Sequence, residues 1–142
     1  MGNTHTEKIK EALHIAEENG PVFIFTVGTD GRPHVAAARG IETESEGKLA
    51  ITEWFCPNTL ENLTGNPCLS VVVWDTTVDV GYQFLGRLDR IQDMGVLDGF
   101  APAEESEPPL PQVLRKLVMD VEEVLTFKRR PHSDRPLKAE RR

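Results

Sequence analysis

Two short runs around one turn restrict what this chain can fold into. Val22-Phe23-Ile24-Phe25-Thr26-Val27 is β-branched and aromatic with no helical spacing, so it reads as a strand buried on both faces or nearly so. Thr29-Asp30-Gly31-Arg32-Pro33 follows, and its Asp-Gly pair favours a tight reversal into a second strand from His34 to Ile41. An antiparallel hairpin is thereby expected within the first third of the chain. The returning strand is poor in bulk: Val35 is followed by Ala36, Ala37 and Ala38. Small side chains there leave shallow space above the sheet, filled either by a packed neighbour or by a flat ligand.

The remaining chain continues the pattern. Thr6 to Asn19 carries Ile9, Leu13 and Ala16 at spacings of four and three, which predicts an amphipathic helix with Thr6 as its N-cap and Asn19-Gly20-Pro21 as its stop. A turn at Glu44-Ser45-Glu46-Gly47 leads into a third strand, Lys48 to Phe55. Cys56 to Gly65 reads as a short helix with Pro57 in its first turn and Leu60 and Leu63 inward. Cys68 to Asp75 and Val78 to Ile91 read as further strands, with a bulge or a close backbone approach expected at Gly86. Residues 92–112, rich in proline and acid, read as a surface loop. Val113 to Phe127 suits a helix face and a strand equally by spacing; its density of β-branched residues favours a strand. Short turns make the strands antiparallel, and six of them with few covering helices favour a closed barrel.

Composition narrows the class. A chain of 142 residues suits one domain. No apolar run reaches the roughly 20 residues of a membrane helix, and the polar start lacks a secretory core, so a cytoplasmic protein without membrane contact is expected. The net charge of −7 is uneven. Residues 128–142 hold seven basic and two acidic groups, while residues 1–127 hold nine basic and 21 acidic ones. An acidic body with a short basic tail at 129–142 argues against nucleic-acid binding. Cys56 and Cys68 complete no metal site and are expected as small buried or half-buried hydrophobes. His5, His14 and His132 share no metal-like spacing, and no Ser-His-Asp set, Walker loop or HExxH motif is present.

In this order, the opening Phe23 to Val35 with Asp30-Gly31-Arg32-Pro33-His34-Val35, the Gly47-Lys48-Leu49 strand start, the helix Pro57-Asn58-Thr59-Leu60-Glu61-Asn62-Leu63, the run Asn66-Pro67-Cys68-Leu69-Ser70-Val71, Gly86-Arg87 and the stretch Val121 to Lys128 resemble the pyridoxamine 5′-phosphate oxidase-like family of FMN-binding split barrels. The resemblance implies a mainly β (α+β) fold: a six-stranded antiparallel split β-barrel over residues 1–128, with an N-terminal helix and a short helix between strands 3 and 4. It implies a homodimer with FMN between the subunits. Asn58 and Thr59 taken alone suit helix capping; the resemblance instead places the flavin phosphate there, where free N–H groups and the helix dipole favour an anion. For His34, after Pro33 at the hairpin base, two readings stand: a donor to the phosphate or an exposed side chain. Arg39 would stand near the ring, although a pairing with Glu42 or Glu53 accounts for it equally. Ile51, Thr52 and Glu53 would line the ring edge, Ala36, Ala37 and Ala38 would form the floor, and Gln83 would reach the neighbour's flavin. The implied activity is that of a flavin-dependent oxidoreductase on an unnamed small molecule. The alternative is a non-catalytic flavin, F420 or haem binder or electron carrier. Two departures stand out. A neutral amide, Asn58, replaces the Arg or Lys of many relatives, and the long C-terminal region that holds vitamin B6 phosphate is not recognisable, which argues against that reaction.

Overall fold

The computed structural model describes residues 4–19, 22–45, 47–54, 57–97, 112–131 and 134–137. Its elements are α1 (Thr4–Asn19), β1 (Val22–Val27), β2 (Pro33–Ala38), β3 (Gly40–Thr43), β4 (Lys48–Trp54), α2 (Pro57–Gly65), β5 (Cys68–Asp75), β6 (Val80–Leu97) and β7 (Gln112–Thr126). All strands join one antiparallel sheet in the order β2-β1-β5-β6-β7-β4-β3. The two edges of this sheet are consecutive pieces of chain with only Arg39 between them, so the sheet curls back on itself as a split barrel.

Seven strands stand where six were expected, because the predicted strand His34–Ile41 is broken at Arg39. Ala38 and Ile41 both pack against the core, an odd spacing that a period-two strand cannot produce. The bend at Arg39 absorbs the extra residue, and its N–H donates to Thr52 O at 2.8 Å. One half of the expected strand therefore pairs with β1 and the other with β4.

The β1–β2 turn forms as its residues dictate. Gly31 has φ +84°, its N–H donates to Gly28 O at 2.9 Å, and Asp30 Oδ1 accepts from the Arg32 N–H at 3.0 Å. The barrel interior holds Val22 and Ile24 of β1, Leu49 and Ile51 of β4, Val71 and Val73 of β5, Phe84 of β6, and Leu117 and Met119 of β7, all fully buried. Ile9 and Ala12 of α1 complete this core, so the helix closes the barrel by its apolar stripe. Thr6 lies inside the helix instead of capping it, because α1 begins at Thr4; its Oγ1 accepts from the Gly47 N–H at 3.0 Å. The Tyr82 hydroxyl donates to Glu11 and holds that carboxyl below its ordinary pKa.

The other boundaries also move. Residues 113–126 are strand, and 92–97 and Gln112 are strand where a loop over 92–112 was expected; the rest of that expectation, 98–111, lies outside the described residues. Cross-strand pairing out to Leu97↔Gln112 satisfies the backbone that proline and acid content had suggested was loop. Register shifts accompany Gly86, where a Cβ would come within 1.8 Å of Asp120 O. Cys68 is exposed, not buried, because it opens β5 at the sheet's rim; Cys56 lies outside the described residues.

The C-terminal residues fold back. Asp79, with φ +61° in the β5–β6 turn, accepts from the Arg129 and Arg130 N–H groups at 2.8 and 3.0 Å, from Arg130 Nε at 3.2 Å and from the Trp74 indole at 3.0 Å. These donors hold its carboxyl at a pKa of about 2. Thr126 N–H donates to Arg135 O, Pro136 bridges to Leu125, and Leu137 packs on the core. Trp74 meets Phe127 edge-on at 5.5 Å.

Candidate functional site

α2 lies across the β1–β2 hairpin. Asn62 Nδ2 donates to Thr26 Oγ1 at 3.0 Å, and Gly28, which has no side chain, lets Asn62 approach so closely that a Cβ there would stand 3.3 Å from its Oδ1. Thr26 pairs in register with His34, so both face α2 from one side of the sheet. Thr59 precedes Asn62 by three residues and shares its helix face. At this junction two polar atoms are buried without a hydrogen-bond partner: Thr59 Oγ1 and His34 Nδ1. Thr59 as a whole is 0% exposed. Buried hydroxyls and ring nitrogens are ordinarily paired, because leaving one unpaired costs about 1–3 kcal/mol. Thr59 stands in the first turn of α2, where unpaired N–H groups face an incoming anion, and His34 lies on the strand that this helix crosses. Asn58, the second residue of α2, is exposed beside them.

The ring-side residues divide by face. Ala38 faces the core and Ala37 is exposed on the outer face, so the two do not form one floor. Ile51 is fully buried in the barrel, and only its backbone borders the outer face. Thr52 faces outward, and its Oγ1 donates to Gly40 O at 3.3 Å. Glu53 follows at the end of β4, in register with Arg115. Arg39 is exposed, and its guanidinium has no ion pair among the described residues; Glu42 faces Lys116 instead. Gln83 Nε2 donates to Ser70 Oγ at 2.8 Å on the outer face of β5 and β6. His34 and Thr59 are thus brought together with Asn58 nearby, and Arg39 with Thr52; Gln83 stands apart.

Sequence reading missed two participants. Asn62, read there as a family landmark only, positions α2 through Thr26, and the pairing of a buried threonine with a helix amide has no sequence signal of its own. Lys116 sits opposite Thr52 in register, which became visible only once β7 was placed beside β4. Among the described residues no group of three or more His, Cys, Asp or Glu side chains is placed to hold a metal ion. None of the described helices is long and apolar enough to cross a membrane.

Comparison with known proteins agrees with the geometry. The family model described as pyridoxamine 5′-phosphate oxidase matches residues 6–127. The chain belongs to that family. An uncharacterized protein of Methanocaldococcus jannaschii is 27% identical over 126 residues, covering 87% of this chain and 84% of the relative. A pyridoxamine 5′-phosphate oxidase-related, FMN-binding protein of Nostoc punctiforme superposes with a TM-score of 0.63 at 14% identity, covering 94% of this chain and 89% of that one. An F420 reductase superposes at 0.50 with 18% identity, covering 73% and 87% of the two chains. At these identities the structural matches speak for the fold. The family and these folds carry forward the split barrel.

Proposed function

We propose that this family member binds FMN through its phosphate at the start of α2 and works as a flavin-dependent oxidoreductase on a small molecule. The observation that carries the reading is the pair of buried, unpartnered atoms where α2 crosses the β1–β2 hairpin, Thr59 Oγ1 in the first turn of the helix and His34 Nδ1 on β2. Thr59 donates its hydroxyl to a phosphate oxygen and so loses its desolvation penalty on binding. His34 donates from its ring, the Asn58 amide adds a neutral donor, and the first-turn N–H groups supply the remaining field. The residues present therefore fit a phosphate monoester without the Arg or Lys of many relatives. Bound FMN supplies hydride and electron transfer. The chain holds it, keeps water from the phosphate, and places Arg39 and Thr52 beside the ring.

A second copy of the chain completes the site in this reading. The outer face of β1, β2, β5 and β6 carries the half-buried Phe23, Phe25 and Leu85 together with Val35, which is 51% exposed. A two-fold partner covers this apolar face and brings Gln83 toward the neighbouring ring.

The test is to purify the protein without added cofactor and identify the chromophore that heat releases. A yellow protein releasing FMN at about one per chain supports the reading, and oxidation of reduced nicotinamide by that protein supports the oxidoreductase assignment. A flavin-loaded protein that turns over no donor points to a carrier, and a colourless protein that ignores added FMN overturns the site.

A further inference from the structure

We propose that Lys116 is the residue that sets the electronic character of the bound flavin, holding positive charge at the edge of a ring that lies across Gly40 and Thr52. This assignment rests on the FMN reading above.

Gly40, Thr52 and Lys116 form one cross-strand row over β3, β4 and β7. Directly opposed residues of antiparallel strands share a face. Because Leu49, Ile51, Leu117 and Met119 fill the core, this row faces outward. Gly40 contributes no side chain, and the Thr52 hydroxyl is drawn down onto Gly40 O. The result is a low floor, with the Arg39 bend at one end and Lys116 at the other.

Lys116 is unusual among the half-buried cations. Its side chain is 17% exposed, yet its nearest carboxylates, Glu42 and Glu44, stand at 3.9 and 3.8 Å, beyond hydrogen-bond range. Glu44 is already engaged by Arg90 at 2.8 Å. Lys48, comparably exposed, instead donates directly to Asp120. An ammonium has three donors and is strongly hydrated, so partial burial without a hydrogen bond is costly unless a ligand supplies one. Arg90 is held by Glu44 at 2.8 Å and by Asp89 at 3.0 Å, which leaves Lys116 as the cation of this row without a hydrogen-bonded carboxylate. Removing Lys116 takes one positive charge from the edge of the floor.

A cation there stabilises negative charge as it accumulates on the N1–C2=O edge of the ring. Sulfite reports this charge directly: its sulfur lone pair forms a bond to flavin N5, and the displaced electron pair comes to rest on N1–C2=O. FMN affinity, sulfite affinity and the two-electron midpoint potential are to be measured for the FMN-loaded wild-type chain, Lys116→Met and Lys116→Arg. The expected result for Lys116→Met is sulfite binding about tenfold weaker and a midpoint about 30 mV lower. Lys116→Arg keeps both near wild type, and the preference for FMN over riboflavin is unchanged, because the phosphate lies at α2. FMN binding with unchanged sulfite affinity and potential in Lys116→Met overturns the assignment of Lys116 alone. Failure of the wild-type chain to bind FMN overturns the cofactor reading and this assignment together.

Discussion

Replacing Thr59 by valine separates the two roles a buried residue can have. The hydroxyl is fully buried and has no hydrogen-bond partner within the chain. Valine keeps the branched shape and nearly the same volume, exchanging the hydroxyl for a methyl group, and its helix propensity is similar. The substitution removes a desolvation penalty of about 1–3 kcal/mol, of which about 1–2 kcal/mol is expected to survive as added stability. For a chain of this size that raises the melting temperature of the apoprotein by about 4–8 °C. The same change removes a charge-assisted hydrogen bond to phosphate, worth about 1.5–3 kcal/mol, so FMN affinity falls about 10- to 150-fold. Thermal unfolding of the apoproteins and fluorescence titrations with FMN and riboflavin read both effects. Riboflavin, which lacks the phosphate, binds both proteins equally. An apoprotein destabilised by more than about 1 kcal/mol with unchanged FMN affinity refutes the reasoning, because the hydroxyl would then serve the fold.

Three further outcomes follow from the packing. Gly86→Ala places a Cβ within 1.8 Å of Asp120 O, so the β6–β7 ladder must shift, and a loss of about 3 kcal/mol or more is expected in denaturant unfolding. Phe84→Ala empties the centre of the barrel and costs about 3–5 kcal/mol by the same measurement. Asp79 titrates near 2 when folded, against 3.8 as its ordinary value. The unfolded chain therefore binds more protons between those values, so this carboxylate's stabilisation is present above about pH 4 and disappears as pH falls toward 2. Asp79→Asn flattens the stability profile over that window and speeds hydrogen exchange at the Arg129 and Arg130 amides, and an unchanged profile contradicts the clasp.

Much of the barrel was legible because period and turn chemistry agree locally. The Asp30-Gly31 reversal, the Pro57 helix start and the β-branched run of β5 each specify their own conformation. What escaped depends on distant pairing. The break at Arg39 arises because one strand must serve both β1 and β4, and no residue near it signals a change of partner. The extension of β6 to Leu97 is stabilised by β7, more than a dozen residues away along the chain, against a local composition that favours loop. Thr6 looks like a cap, yet it faces Gly47 across the fold. Asp79 resembles an ordinary turn residue, and only the folded-back segment shows it gathering four donors. At the site, His34 and Thr59 were nominated through the family's motifs. That both are buried and unpaired is a property of packing, and no sequence period carries it.

The central claim is that the start of α2 is a phosphate site. Titrating the apoprotein with FMN and with riboflavin under identical conditions tests it most directly. The account predicts saturation with FMN at one per chain and riboflavin binding weaker by tenfold or more. Equal affinity for the two contradicts it, because Thr59, His34 and the helix N-terminus would then contribute nothing to recognition.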